Sequence, residues 1–247
     1  MRMNMTFIIT TDVDFVSDDL LRIAYELLKH IPITIFMTGP SDYLKNTAKR
    51  NPLWEIEPHP NFCEASTHGS CINEVFDTIS TFPCENIGFR CHRYYSSNDV
   101  EERFFELGFG YASNICTDLE CIKPFFDRCG LLQIPIFFED GGYLKAHGVP
   151  RLCDILPHIN EKGVYVFNFH PIHLALNSCS FDKIHKIKRS MPPSSYSSLS
   201  QKDIDALKNN GYGVFDFLSE LLSYAKENNI QFLNLKQYYE QQKANRI

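Results

Sequence analysis

Short apolar segments alternate with segments of helical periodicity along most of the chain, and this alternation predicts an α/β protein. Residues 6–15 begin with a continuous apolar run and end in two acids one residue apart. Runs of this length are typical of buried strands. Apolar residues at helical spacing follow within 20–28, and Pro32 then precedes a second apolar run at 33–37. A strand, a helix and a second strand in this order predict a parallel sheet.

The same two patterns predict the remaining elements of one domain. Further strands are predicted at 54–57, 87–90, near 111, 132–136, 164–169 and 231–235, and helices within 72–79, 98–107 and 214–225. The sequence contains neither an internal repeat nor a separating linker, so residues 1–247 are predicted to form a single domain. Residues 177–203 are rich in Ser and Pro, which predicts a long loop that is either a substrate lid or a solvated surface segment.

Composition narrows the class of protein. The 247 residues are 44% hydrophobic and carry a net charge of -6, which argues against a general nucleic-acid binder. The N-terminus lacks the features of a signal peptide, and no apolar run approaches the ~18 residues of a transmembrane helix. The nine cysteines include no Cys-x-x-Cys pair, which predicts reduced thiols and a cytoplasmic location.

Polar residues follow the predicted strands at several separate places. They are Asp12 and Asp14, His59, Arg90 and His92, Asp140, and His170. In a parallel α/β barrel the carboxyl ends of all strands open on one face, so these side chains would converge.

Asp and His together suit a divalent transition metal, with zinc as the default. A catalytic zinc keeps three protein ligands and makes a bound water acidic near neutral pH. A second carboxylate can accept the proton of that water, and a histidine across the site can protonate the leaving group. This set of groups is suited to the hydrolysis of an amide.

Four motifs carry a resemblance to a known family, and they occur in the family's order. They are Thr11-Asp12-Val13-Asp14, Glu57-Pro58-His59-Pro60-Asn61-Phe62, Arg90-Cys91-His92 and Phe169-His170-Pro171-Ile172-His173-Leu174. The chain resembles the polysaccharide deacetylase superfamily, the NodB-homology or carbohydrate esterase family 4 proteins. Within it, the chain resembles the WbmS-like branch found in surface-polysaccharide gene clusters. The resemblance runs from about Thr6 to the final predicted strand.

This resemblance implies a fold and an activity. The fold would be a distorted (β/α)7 barrel with a single divalent metal, expected to be Zn2+. The activity would be metal-dependent removal of an N-acyl group, acetyl or formyl, from an amino sugar during surface polysaccharide biosynthesis. The sugar would be a small molecule or would be linked to a carrier.

The resemblance also assigns roles to individual residues. Asp12 matches the catalytic base and Asp14 a metal ligand. His59 matches the first metal histidine. Arg90 matches the arginine that orients and ionises the base, and His170 matches the general acid.

The third metal ligand departs from the family pattern. The family places its second metal histidine four residues after the first, where this chain has Cys63. His92 is the leading candidate because it lies beside Arg90 at a strand end, and His68 and Cys63 are the alternatives.

Two further polar residues are candidates for substrate binding. His173 lies on the same predicted loop as His170, where it would hydrogen-bond the substrate or cap the loop. Asp140 would support a catalytic histidine or form the polar part of a Gly-Gly turn.

Two other functional classes fit part of the sequence. Asp12-Val13-Asp14 also matches a phosphatase of the haloacid-dehalogenase type, with Asp12 as nucleophile and magnesium as the metal. That interpretation gives no role to His59, Arg90 and His170. The chain would alternatively be a non-catalytic carbohydrate-binding protein on the same fold, because the usual second metal histidine is missing.

Overall fold

The computed structural model describes residues 5–14, 16–159, 162–191 and 197–245. Its strands are β1 (Thr6–Val13), β2 (Ile33–Met37), β3 (Trp54–Pro58), β4 (Gly88–Phe89), β5 (Tyr111–Ala112), β6 (Phe125–Phe126), β7 (Leu132–Gln133), β8 (Phe138–Glu139), β9 (Val164–Phe169) and β10 (Gln231–Leu233). Its α-helices are Asp18–Ala24, Asp42–Ala48, Ile72–Ile79, Asn98–Glu106, Asp140–Ala146, Leu152–Ile155, Pro171–Ala175, Phe181–Ser190, Gln201–Leu207, Val214–Glu227 and Leu235–Ala244. Short 3-10 turns comprise Glu26–Leu28, His92–Tyr94 and Leu156–His158.

The strands of the described chain pair as two sheets. The larger sheet is parallel throughout and has the order β3-β2-β1-β9-β8, with β10 also paired to β1. The smaller sheet has the order β4-β5-β7-β6, in which β6 is antiparallel to β7. The predicted α/β class with a parallel central sheet is confirmed. The described strands form two sheets rather than one continuous ring of seven.

β1 is the central strand because three strands pair with it. Its residues Thr6–Thr11 pair with β9. On its other edge, residues 6–8 pair with β10 and residues 9–13 pair with β2. The predicted strand at the N-terminus therefore occupies the middle of the larger sheet.

Side chains alternate between two buried faces of the larger sheet. Phe7 and Ile9 of β1 belong to the main hydrophobic core, whereas Ile8 lies in a second cluster with Phe36 and Val166. Since successive side chains of a strand point to opposite faces, Thr10 and Asp12 share the face of Ile8. All of these residues are buried, so β1 has no solvated face.

Side chains cap the starts of several helices. The Ser97 hydroxyl accepts a hydrogen bond from the Val100 amide, so Ser97 is the N-cap of the helix Asn98–Glu106. The helix Asp140–Ala146 contains two glycines and was predicted as a turn. It forms because the Glu139 carboxylate accepts hydrogen bonds from the amides of Gly141 and Gly142.

The predicted loop 177–203 contains a helix, Phe181–Ser190. Ile184 and Ile187 of this helix are buried, so their three-residue spacing outweighed the Lys-rich composition. A second helix, Gln201–Leu207, begins before the end of the predicted loop. Residues 192–196 of the predicted loop lie outside the described residues.

Aromatic side chains dominate the core beneath the smaller sheet. The ring of Phe104 stacks on Phe89 with centroids 3.6 Å apart, and Phe76 and Phe109 contact its other sides. Phe104 is fully buried, whereas its neighbour Phe105 is 47% exposed. These adjacent residues therefore provide a matched pair for a test of packing.

We expect Phe104→Ala to lower the free energy of unfolding by about 3–5 kcal/mol, because it opens a cavity in this cluster. Phe105→Ala should lower it by less than about 1 kcal/mol, because that ring is largely solvated. Urea denaturation followed by circular dichroism measures both. Equal losses would contradict the described packing.

Candidate active site

The candidate residues predicted from strand ends lie together at one end of the larger sheet. They lie at, or just after, the carboxyl ends of β1, β3, β4, β8 and β9: Asp12, Asp14, His59, Arg90, His92, Asp140 and His170. The two sheets meet here, because the amides of Arg90 and His92 donate to the carbonyls of Pro58 and Pro60. Carboxyl ends of parallel strands are where α/β proteins usually bind their ligands.

Asp12 and Arg90 form a fully buried ion pair. Arg90 Nη1 lies 2.9 Å from Asp12 Oδ1, and the side chains are 0% and 3% exposed. The other guanidinium nitrogens bind Ser113, with Nε donating to its carbonyl and Nη2 to its hydroxyl. The guanidinium also lies over the Phe36 ring, 4.4 Å from its centroid.

Burial opposes ionisation of Asp12, but the positive groups around it prevail. Desolvation raises the pKa of Asp12, while Arg90, His59 and His170 lower it, and the result lies below the usual value. Asp12 is therefore an ionised carboxylate at neutral pH and can accept a proton.

Sequence reasoning missed Asn168, which lies in the middle of this network. Its side-chain oxygen accepts from Arg90 Nη1 at 2.6 Å and from Thr10 Oγ1 at 2.8 Å. Its side-chain nitrogen donates to Asp12 Oδ2 at 2.9 Å. The available signal was the two-residue spacing from His170, which places both side chains on one face of the extended backbone.

Asp14, His59 and His92 form a second group in the site. Their potential ligand atoms all lie within 4.8 Å of one another. His59 Nε2 lies 3.5 Å, and His92 Nδ1 3.1 Å, from Asp14 Oδ1. Burial raises the pKa of Asp14, but His59, His92 and His170 lower it well below its usual value.

This group fits a divalent metal by its donors and by its spacing. His59 Nδ1 donates to the Arg90 carbonyl at 2.7 Å, so the lone pair of neutral His59 is on Nε2, which faces Asp14. Ligand atoms about 2.0–2.1 Å from a tetrahedral zinc lie roughly 3.3 Å apart. The observed separations of 3.5 and 3.1 Å match that value.

The alternative third ligands lie elsewhere. His68 Nε2 donates to the Thr38 carbonyl at 2.7 Å, and His68 Nδ1 accepts from the Asn61 amide at 3.0 Å. His68 therefore fixes the loop that follows β3. In the described chain Cys63 belongs to neither group of clustered potential ligand atoms. Of the three predicted candidates, His92 is the one beside Asp14 and His59.

Asp140 fixes the orientation of His170 through two hydrogen bonds. The Asp140 carboxylate accepts from His170 Nδ1 at 2.7 Å and from the His170 amide at 2.8 Å. Glu139 Oε1 lies 3.2 Å from the same Nδ1. On the opposite edge of the ring, His170 Nε2 lies 3.7 Å from Asp14 Oδ2 and points into the site.

The carboxylates around His170 favour the protonated form of its ring. Burial disfavours the charged ring, but Asp140, Glu139 and Asp14 raise the pKa of His170 to about 10. Burial raises the pKa of Asp140 to about 7, although His170 opposes that shift. Asp140, whose two oxygens both accept hydrogen bonds from His170, therefore favours the charged form of the ring.

Asp140 and His173 both adjoin His170, and their roles in substrate binding stay predictions. Asp140 is fully buried and both of its oxygens accept hydrogen bonds from His170, which fits the predicted alternative that it supports a catalytic histidine. His173 is 4% exposed and its Nδ1 lies 3.0 Å from the Ser178 hydroxyl. His173 therefore lies behind His170, where its ring packs edge-on against the His170 ring.

A cavity of about 970 Å³ opens beside Asp14 and His92. Its other lining side chains are mostly hydroxyl, amide and carboxylate groups, among them Ser17, Asp18, Thr38, Ser41, Asn61 and Glu64. Met191 and Ser197, which flank residues 192–196, also line it. The lid function of the 177–203 segment stays a prediction.

The chain matches a family model in sequence and two solved structures in fold. The chain matches the model of the WbmS-like polysaccharide deacetylases over residues 9–188. A crystal structure from Bordetella bronchiseptica, of a proposed polysaccharide deacetylase involved in O-antigen biosynthesis, aligns with a TM-score of 0.76 and 24% identity, covering 88% of this chain and 90% of that one. A proposed polysaccharide deacetylase from Mycobacterium smegmatis aligns with a TM-score of 0.52 and 15% identity, covering 100% of this chain and 93% of that one. No curated protein matches the chain.

These similarities define the class of protein and then its family. The two solved structures show that the fold is that of polysaccharide deacetylases. The chain belongs to the WbmS-like family of polysaccharide deacetylases, as the match over most of its length shows. Membership of a deacetylase family implies a hydrolase that acts on amide bonds.

The family assignment replaces the haloacid-dehalogenase alternative. Within the described residues, no helix combines the length and apolar character that crossing a membrane requires.

The ligand geometry predicts one high-affinity Zn2+ site per chain. His92→Ala should weaken Zn2+ binding at least about 10-fold, because it removes one of three protein ligands. Cys63→Ser should leave the affinity unchanged, and His147→Ala, which alters an exposed histidine bound to Asp118, serves as a control. Isothermal titration calorimetry with Zn2+ measures all three. A loss with Cys63→Ser but not with His92→Ala would assign the third ligand to Cys63.

Proposed function

We propose that the protein is a metal-dependent hydrolase that removes an N-acetyl or N-formyl group from an amino sugar in surface polysaccharide biosynthesis. One observation carries the proposal: Asp12, paired with Arg90, and His170, paired with Asp140, both adjoin the Asp14, His59 and His92 cluster. The similarity to a protein described as involved in O-antigen biosynthesis supports the choice of a sugar substrate.

Asp14, His59 and His92 would hold the metal, with Zn2+ as the first choice among divalent ions. Such an ion acidifies water and polarises a carbonyl oxygen. The protein contributes the orientation of the ligands, since the Arg90 carbonyl fixes the tautomer of His59.

Asp12 would accept the proton that the attacking water loses. Arg90 keeps this carboxylate ionised in a buried position, where a carboxylate would otherwise be protonated. The pair therefore supplies a base that is both ready to accept a proton and shielded from bulk water.

His170 would donate a proton to the departing amine. Its Nδ1 binds Asp140, which leaves Nε2 directed toward Asp14 and the centre of the site. An amine is a poor leaving group unless it is protonated, so this donor is needed for cleavage of the C–N bond.

The cavity beside Asp14 has the size and the polarity for a sugar substrate. Its volume of about 970 Å³ lies at the upper end of the range usual for small-molecule sites. Its hydroxyl, amide and carboxylate side chains are of the kinds that pair with sugar hydroxyls.

The test is the release of acetate or formate from N-acylated amino sugars, as oligosaccharides, sugar nucleotides and lipid-linked saccharides. Asp14→Ala and His59→Ala should each lower the rate at least about 100-fold, and a chelator should do the same until Zn2+ is restored. His147→Ala should retain wild-type activity. Release by Asp14→Ala and His59→Ala at the wild-type rate would refute the mechanism. A wild-type protein that binds these sugars without releasing acid would instead support a non-catalytic binding function.

The Asp140 contact makes a separate prediction about pH dependence. Asp140→Asn removes a carboxylate that raises the pKa of His170, so that pKa should fall. Because the protonated ring is the active form, the alkaline limb of the kcat/KM profile should move to lower pH. An unchanged alkaline limb in the variant would show that His170 is not the acid that this limb reports.

A further inference from the structure

Asn168 lies between two charged side chains at a point where neither is exposed to solvent. It is 0% exposed. Its oxygen accepts from Arg90 and Thr10, and its nitrogen donates to Asp12. The side-chain nitrogen of Asn168 also lies 3.4 Å from the Tyr94 hydroxyl.

The orientation of this amide is determined by its partners. If the amide were reversed, its NH2 group would face the donating Nη1 of Arg90. Its oxygen would then face the carboxylate of Asp12, and both contacts would be repulsive. The described orientation satisfies every polar atom, as a buried amide requires.

Arg90 alone does not fix the carboxylate of Asp12. Only Nη1 of Arg90 contacts Asp12, on Oδ1, because Nε and Nη2 bind Ser113 instead. A single contact of this kind lacks the geometric restraint of a bidentate pair. The second contact on the carboxylate, at Oδ2, comes from Asn168.

We propose that Asn168 is a positioning residue that fixes the orientation of Asp12. This inference rests on the proposed function, in which Asp12 accepts a proton. Asn168 also precedes His170 by two residues, and the extended backbone of His170 continues β9, so both side chains lie on one face. β9 thus carries the residue that orients the base and leads directly into the acid.

A merely structural role for Asn168 predicts a different result. Loss of a packing contact would lower the free energy of unfolding and would change kcat, KM and the Zn2+ content together. Loss of positioning affects the chemical step, so kcat falls while KM and the metal content hold. Among the described residues, the hydrogen bonds of the Asn168 side chain do not include Asp14, His59 or His92. The Zn2+ content therefore serves as an internal reference for the effect on kcat.

The decisive variant is Asn168→Asp. It keeps an oxygen for Arg90 and Thr10 but replaces the donor toward Asp12 with a second oxygen. We expect kcat to fall about 100-fold, with KM within about threefold of wild type and one Zn2+ still bound. Asn234→Asp is the matched control, because Asn234 is a buried amide that binds the Gln237 amide and the Leu53 carbonyl instead. Its kcat should equal that of wild type.

Asn168→Ala guards against a folding defect in the charged variant. It removes the amide without adding charge, and we expect kcat to fall about 10-fold with KM and Zn2+ content maintained. If Asn168→Asp lacks a cooperative thermal transition, Asn168→Ala decides the test. The inference is overturned if kcat stays within threefold of wild type, or if KM or Zn2+ content changes in proportion to kcat. A wild-type protein without deacylase activity would refute the proposed function itself, which is a distinct result.

Discussion

The buried guanidinium of Arg90 is the interaction on which the rest of the site depends. It is fully buried and donates to β1 through Thr10 and Asp12, to β9 through Asn168, and to Ser113 after β5. A charge placed there without partners would cost several kcal/mol, so the surrounding strands must present acceptors to it. The same residue connects the two sheets, since its amide binds the Pro58 carbonyl at the end of β3.

Alternation along the strands explains why polar groups occupy the interior. Ile8 and Phe36 line the inner face of the larger sheet, while Thr10, Thr34 and Asn168 occupy other positions on that face. Each of these polar side chains binds another strand, as Thr34 does by donating to Glu55. These hydrogen bonds between strands therefore extend from the interior of the larger sheet to Asp12, which lies at the edge of the site.

Much of the fold followed from apolar runs, because β1, β2, β3 and β9 are long and buried. The short helices could not be predicted from apolar runs, because a segment such as Pro171–Ala175 is too short to be stable without its tertiary contacts. The Gly-Gly sequence after Asp140 indicated a turn, and the capping carboxylate of Glu139 made it a helix. Antiparallel β6 was also missed, because Phe125 and Phe126 form a strand of only two residues.

The candidate site was predictable to the extent that strand ends converge. Asp12, Asp14 and His170 follow apolar runs that are evident in the sequence, and His59 follows the predicted strand 54–57. The partnership of Asp140 with His170 and the burial of His173 depend on how two helices begin, which apolar periodicity does not report. Asn168 ends no strand, so the strand-end pattern does not identify it, and its two-residue spacing from His170 is the signal that remains.

The central position of β1 has a consequence for biosynthesis of the chain. β1 emerges from the ribosome first, but its neighbour β9 begins at Val164 and β10 at Gln231. At about 5–20 residues per second, one edge of β1 waits on the order of ten to thirty seconds for a partner. An apolar strand with a free edge is prone to aggregation during that interval. The wait for β9 is therefore the stage of synthesis at which this chain is most exposed to aggregation.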